Sequence, residues 1–306
     1  MLVTARVDTN TTRPAVEAGE ATVPVYLVHW NAPDWLRSSI VSLRESVGCE
    51  PRIVVIDNSG TLDAEFDPGV TIISSPVNDG YTGGANRALA DCPIRFPDAK
   101  AFVVAAHDLH VSPNSLSALL TELEANPLLG IVGPVLNAPA ESFGGTWDGR
   151  RAGRLTQPGD PQWLSGTMLM IRRECSDAVG LFDTSFGSYS EDVDYGLRAK
   201  DLGWSLAAVP AARAHGLGSV ADDVNQRIDL TNLRLAVKRG GRRVLAQDVG
   251  SRLYKLQRVA AVSLAYGICK KSTRVEARAA FGRRVRELRA VLAISPALLR
   301  RPQGSS

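Results

Sequence analysis

Val23-Pro-Val-Tyr-Leu-Val-His29-Trp30-Asn31 is an apolar run that closes on polar residues, and Trp35 to Val47 follows it with Leu36, Ile40 and Leu43 at helical spacing. A short apolar run followed by a 3.6-residue period predicts a buried strand and then an amphipathic helix. The unit recurs down the chain. Arg52-Ile-Val-Val-Ile-Asp57-Asn58-Ser59-Gly60 predicts a second strand ending in a turn, and Val70-Thr-Ile-Ile a third. Ala101-Phe-Val-Val-Ala-Ala-His107-Asp108 predicts a fourth, before a helix over Pro113 to Ala125 with Leu116, Leu119, Leu120 and Leu123 inward. Repeated strand-then-helix units of this length predict an α/β fold, Rossmann-like, with a mostly parallel sheet and helices on both faces. Ligands of such sheets bind outside the carboxyl ends of the strands, where His29-Trp30-Asn31, Asp57-Asn58-Ser59 and His107-Asp108 are placed here.

Two further stretches carry chemistry. Asn78-Asp-Gly80-Tyr81-Thr-Gly83-Gly84-Ala-Asn86-Arg87 reads as a Gly-rich loop running into a helix at Ala88, Leu89 and Ala90. Glycines there let backbone approach a ligand, and a helix start offers N–H groups to an anion or ribose; a plain turn is the alternative. The spacing matches neither the dinucleotide fingerprint nor the P-loop. Gly187-Ser-Tyr-Ser-Glu191-Asp192-Val-Asp194-Tyr-Gly-Leu-Arg198 predicts a helix of about three turns, with Ser188 and Glu191 as a capping box and Gly203 as the stop. Three carboxylates fall in its first turn, where the helix dipole favours negative charge. One of them is suited to act as a general base, while Asp194 with Arg198 is also an ordinary i,i+4 pair.

At 306 residues the chain accommodates one large α/β domain with an appendage. Met1 to Glu20 lacks an apolar core and reads as a flexible tail. Cys49, Cys92, Cys175 and Cys269 stand without C-x-x-C spacing, which fits a reducing cytosol better than a disulfide framework. Val259 to Cys269, the longest apolar run, falls well short of the ~20 residues a spanning helix needs. The charge is divided: residues 230–306 hold 18 Lys/Arg and 3 Asp/Glu, a net of +15, while residues 1–229 hold 17 against 29, a net of −12. The expected organisation is a tail over 1–20, a catalytic domain over 21–229, and a basic, mostly helical segment over 230–306.

The series of motifs from Val23 to about Ser219 resembles glycosyltransferase family 2, inverting nucleotide-sugar enzymes of GT-A fold, and within it the rhamnosyltransferase-like bacterial branch. Asp57-Asn58-Ser59 is similar to the family turn whose Asp contacts the nucleobase, and His29 and Asn31 stand where the first strand meets base and ribose. Asn78, Gly80, Tyr81, Gly83, Gly84 and Asn86 match the loop near the nucleoside, and Gly166 in Trp163-Leu-Ser165-Gly166 the start of the donor-sugar pocket. Glu191-Asp192 resembles the pair whose Asp deprotonates the acceptor hydroxyl, and His215 the His near metal and diphosphate. The resemblance implies a divalent cation, Mg²⁺ or Mn²⁺, to offset charge on the leaving nucleoside diphosphate. The family's Asp-x-Asp is altered here to Ala106-His107-Asp108, which leaves Asp108 as the carboxylate ligand. An Asp108-Leu-His110 reading shifts the register by two, and His107 and His110 otherwise read as bystanders.

The implied activity is transfer of a sugar, rhamnose or similar, from a dTDP- or UDP-sugar donor to a glycan or lipid-linked acceptor in bacterial cell-surface synthesis. A catalytically silent nucleotide-sugar scaffold is the rival that Ala106 motivates. The basic segment reads either as solvated helices packed on the core or as a peripheral contact with anionic membrane at the inner face of the cell membrane. No stacking aromatics or binding motif accompany its charges, so nucleic acid is not an expected partner.

Overall fold

The computed structural model describes residues 21–63, 65–75, 77–136, 144–148, 153–155, 160–216, 224–266 and 271–299. The tail expected over 1–20, and Cys269, lie outside them. In chain order the elements are β1 (Ala21–His29), α1 (Pro33–Arg44), β2 (Cys49–Asp57), β3 (Thr71–Ser74), α2 (Gly80–Arg95), β4 (Ala101–Ala106), β5 (Leu109–Val111), α3 (Ser115–Ala125) and β6 (Leu129–Leu136). There follow β7 (Gly144–Asp148), β8 (Gly153–Leu155), β9 (Trp163–Leu164), β10 (Met168–Arg172), α4 (Arg173–Val179), α5 (Glu191–Asp201), β11 (Ser205–Gly216), α6 (Val224–Gly240), α7 (Arg242–Tyr266) and α8 (Lys271–Leu299).

Eight strands form one sheet in the order β3-β2-β1-β4-β10-β6-β11-β5. β3, β2, β1 and β4 run parallel, as their continuous apolar runs require, and the expected mixed α/β architecture is present. Alternate residues of β1 feed two cores. Val23, Val25 and Leu27 meet Leu36, Ile40 and Leu43 of α1 and Leu116, Leu119 and Leu123 of α3. Tyr26 and Val28 meet α2, together with Tyr195 and Ala199 of α5, on the other face. The order reverses direction between β1 and β4, which opens a crevice at their carboxyl ends.

β10 enters antiparallel to β4, pairing Met168 with Ala105. Its preceding residues therefore arrive where β4 finishes, and the Ala106 N–H donates to the Thr167 carbonyl at 3.0 Å. β11 runs parallel to β6 and then turns its last residues onto β5, with His215 opposite His110.

Three local expectations change. The Gly-rich stretch is not a loop, because α2 already begins at Gly80. Ser188 does not cap α5. Ser190 is the N-cap residue, with φ 67° and no side-chain cap bond, and the Ser188 hydroxyl accepts the Tyr81 N–H instead, at 3.3 Å. The division drawn at 229/230 falls inside the continuous helix α6, whose Leu235 is fully buried against Trp163, Phe186, Val193 and Leu197 around α5. Leu233 and Val237 of the same helix join Leu245 of α7 and Val291 of α8 in a separate cluster.

Candidate active site

Asp192 is the second residue of α5 and is nearly enclosed. Its Oδ2 accepts the Gly166 N–H at 3.0 Å and its Oδ1 the Val193 N–H at 2.8 Å. Gly166 packs closely on the acidic pair, since a Cβ there would stand a tight 3.3 Å from Asp192 Cβ and in ordinary contact, 3.6 Å, with Glu191 Oε1. The Tyr81 hydroxyl donates to the Gly166 carbonyl at 2.5 Å. Burial raises the Tyr81 pKa well above its ordinary value, and the charges of Glu191, Asp192 and Asp108 add to the rise. Those four side chains therefore share one electrostatic neighbourhood, although Asp108 lies more than eighty residues from Glu191 in the chain.

The backbone ahead of the acidic pair is constrained. Tyr189 and Ser190 both have positive φ, 71° and 67°, a conformation that non-glycine residues hold only when their surroundings impose it. Helix α6 supplies that constraint: Ser190 Oγ lies 3.0 Å from Thr231 Oγ1 and donates to Asn232 Oδ1 at 2.9 Å. Lys238 Nζ is 2.8 Å from Asp183 Oδ2 and 2.8 Å from Asp194 Oδ1. Asp194, only 1% exposed, also accepts from Arg198 Nε at 2.9 Å, so this i,i+4 pair is a structural anchor of α5.

Several residues expected to touch nucleotide are also held by the scaffold. His29 is fully buried, edge-on to His107 at 4.8 Å between ring centroids. Asp57 is likewise enclosed: Oδ1 accepts the Ser59 N–H at 2.9 Å and Oδ2 the Leu62 N–H at 3.0 Å. Burial pushes its pKa up, but these N–H groups, the Ser59 hydroxyl and His29 outweigh it and the net shift is downward. Its carboxylate thus faces the turn it shapes, and the solvent-facing surface at this end belongs to Trp30, Asn31, Ser59 and Gly60. Asn31, at φ 49°, donates its N–H to Ser59 Oγ at 2.8 Å, joining the ends of β1 and β2.

Gly83 and Gly84 are buried inside α2, where a Cβ would come within 2.2 Å of Asp79 Cβ and 2.5 Å of Val28 Cγ1 respectively. They permit this close packing. Asn86 exchanges two hydrogen bonds with the Phe182 backbone, 3.0 Å as donor and 2.8 Å as acceptor. Asn58 donates to the Gly80 carbonyl at 2.9 Å. Gly80, at φ 70°, has its Cβ direction closed by the Gly187 carbonyl oxygen at 2.7 Å, and its N–H donates to exposed Asn78 Oδ1 at 2.9 Å.

Asp108 precedes β5 and is half-buried. Leu109 and Val111 of that strand are fully buried, so strand alternation puts His110 on the other face, two residues after Asp108. The His110 ring meets His215 across the strand pair, 4.9 Å between centroids. The Asp-x-His spacing was the one sequence signal for His110, and its partner strand arrives from over a hundred residues away.

Burial, reinforced by His107 and opposed by Asp57, lowers the His29 pKa from 6.5 to about 4. The folded value lies below the unfolded one, so the unfolded chain takes up the proton first, and this stability is present above pH 6.5 and lost toward pH 4. The expected loss is about 2 kcal/mol at pH 5 relative to pH 7. His29→Phe should flatten the fall of the urea midpoint over that range; parallel curves for the two proteins would discard this account.

Residues 104–228 match the model of the family described as Glycosyl transferase family group 2. The chain is 28% identical over 238 residues to N-acetylglucosaminyl-diphospho-decaprenol L-rhamnosyltransferase of Mycobacterium tuberculosis, a match spanning 64% of this chain and 78% of the relative. Among solved structures, a mannosyltransferase from Pyrobaculum calidifontis in complex with GDP-Man and Mn²⁺ superposes with TM-score 0.59 at 15% identity, over 90% of this chain and 86% of that one. GalNAc-T7 with UDP, GalNAc and Mn²⁺ gives TM-score 0.55 at 14% identity over 71% of this chain, which spans only 48% of that enzyme. The match over 104–228 runs from β4 through Asp108, Gly166, the acidic start of α5 and His215 into α6, and the sheet around it is the one those sugar-transferring enzymes share. The chain is therefore a glycosyltransferase on a GT-A fold, whose residues 104–228 are similar to glycosyl transferase family group 2.

Proposed function

We propose that the enzyme transfers rhamnose or a similar sugar from a dTDP- or UDP-linked donor to a hydroxyl of a lipid-linked glycan acceptor, in a single displacement with inversion. The observation that carries this reading is Asp192, whose carboxylate is held at the start of α5 by the Gly166 and Val193 N–H groups. Asp192 takes the proton of the acceptor hydroxyl as that oxygen bonds to the anomeric carbon. The bond to the donor diphosphate breaks on the opposite face, and its electron pair leaves with the diphosphate. Glu191 stands beside the base, and the Tyr81–Gly166 bond fixes the pocket wall. The rhamnosyl and lipid-diphosphate assignments draw on the name of the mycobacterial relative.

Asp108, His110 and His215 offer one carboxylate and two imidazoles, donors suited to a divalent ion such as Mn²⁺. No three ligating side chains among the described residues already converge as a cluster. These residues would hold the ion jointly with diphosphate oxygens of the donor, and not by themselves. When bound, it would offset the charge that develops on the leaving group. The reading is tested by incubating the protein with dTDP-rhamnose and UDP-sugars and a synthetic sugar-diphosphate-lipid acceptor, with anomeric configuration read by NMR; a product of retained configuration would exclude the single displacement.

The basic helices α7 and α8 bring the enzyme to a membrane surface on this reading. No helix among the described residues is long and apolar enough to cross a membrane. Leu253, Tyr254, Phe281 and Leu292 are exposed on these helices amid the Lys and Arg residues, which suits shallow contact. Co-sedimentation should require anionic vesicles and fall sharply at high salt, the Debye length shrinking from about 10 Å at 0.1 M to about 3 Å at 1 M. Equal, negligible binding to anionic and neutral vesicles would remove the membrane role.

A further inference from the structure

Asp108 lies between two strands and belongs to neither. β4 ends at Ala106, and the antiparallel pairing of β5 with β11 begins at Leu109, opposite Gly216. β5 is the last strand of the sheet, with β11 on one side and, among the described residues, no strand on the other. Helix α1 takes that place. Leu36, Ile40 and Leu43 of α1 share a core with Leu109 and Val111, and two serines of the same helix meet the backbone of the strand.

Ser39 and Ser42 stand three residues apart on α1, and both are buried, 0% and 1% exposed. Ser42 Oγ accepts the Val111 N–H at 3.2 Å and donates to the Ser39 carbonyl at 2.9 Å. Ser39 Oγ accepts the Leu109 N–H at 3.1 Å and stands 2.5 Å from the His107 carbonyl oxygen. The Trp35 carbonyl oxygen, one helical turn back, is 3.0 Å away, and the one hydrogen of the hydroxyl serves the nearer His107 oxygen. The two peptide groups that Ser39 holds are the ones on either side of Asp108. Peptide groups are planar, so fixing both planes fixes the φ and ψ between them and the direction in which the Asp108 side chain leaves the backbone. From β1, the Val28 carbonyl accepts from His107 Nδ1 at 3.1 Å and anchors the same segment a second time. His110 is held differently, by its place opposite His215 in the strand pair.

We propose that Ser39 is a positioning residue for the metal carboxylate: its hydroxyl, seventy residues away in the chain, aims Asp108 at the ion held with the donor diphosphate. The assignment rests on the proposed role of Asp108 in binding the metal. Ser42 supplies the contrast, since it makes the same kind of bond from the same helix to Val111, whose side chain is buried in the core.

Wild type, Ser39→Ala, Ser42→Ala, Asp108→Asn and the double variant of Ser39→Ala with Asp108→Asn are compared as full chains. Each is measured for melting temperature and, by calorimetry, for the Kd of Mn²⁺ in saturating UDP or dTDP, whichever the wild type binds more tightly. Both serine variants should melt lower, because each leaves a buried N–H without its acceptor. Ser39→Ala should also weaken Mn²⁺ binding about tenfold or more, the range in which residues supporting a ligand act on metal affinity, while Ser42→Ala leaves it unchanged. In the Asp108→Asn background Ser39→Ala should add nothing to the Kd, since it acts through that carboxylate. Should Ser39→Ala not fold, Ser39→Cys, which keeps a group of similar shape with only a weak acceptor, takes its place. Equal weakening by the two serine variants, wild-type affinity in Ser39→Ala, or a full further loss in the double variant would overturn the role of Ser39 and leave the metal reading standing. A wild type that binds no Mn²⁺, or an Asp108→Asn protein that binds it as tightly as wild type, would overturn the metal reading and this assignment with it.

Discussion

Asp192→Asn should lower turnover by ~10²-fold or more while leaving donor affinity little changed, because the amide keeps the shape of the side chain but cannot take a proton. The structure adds a constraint. Both oxygens of Asp192 receive backbone N–H groups, from Gly166 and Val193, so an amide nitrogen on either side would oppose a donor with a donor. Asp192→Glu tests the geometry separately from the basicity: it restores a carboxylate but moves it by a methylene in a nearly closed site. Both variants should be poor catalysts. Near wild-type turnover in Asp192→Asn, with nucleotide binding intact by calorimetry, would remove Asp192 from its assigned role.

The second large effect is expected at Asp108. Asp108→Asn should remove the cation-dependent part of the activity, on the order of 10²–10³-fold for a loss of several kcal/mol of charge stabilisation. His110→Ala and His215→Ala should fall in the same direction by comparable amounts, since the rings face each other across β5 and β11. A readout independent of turnover is Mn²⁺ titration by calorimetry in the presence of nucleoside diphosphate: each variant should bind more weakly, and Ala106→Asp, which adds a second carboxylate, more tightly. Full activity in chelator, or a silent His110→Ala beside a crippled His215→Ala, would contradict this donor set.

The sequence by itself determined the architecture, because that rests on periodicities that act locally. Buried parallel strands need apolar runs, and the helices that cover them need an apolar stripe, so β1, α1, β2, β4 and α3 were legible within a few residues of their ends. The acidic start of α5 was legible for the same reason, as were Asp194 and Arg198, which face each other one turn apart. Tertiary structure alone decided which polar residues are available to a ligand. His29, Asp57, Asn58, Asn86, Gly83 and Gly84 look like binding residues in one dimension, yet what encloses them is supplied by His107, Leu62, Gly80, Phe182, Asp79 and Val28. Residues with Asn, Asp or Gly chemistry serve a tight turn or a close helix approach as readily as a ligand, and burial, which distinguishes these uses, depends on contacts distant in the chain. The same holds for α6. Its charges suggested an appendage, but Leu235, Asn232 and Lys238 bind it to the loop and helix that carry Asp192, a pairing set by packing across some forty residues that no local pattern encodes.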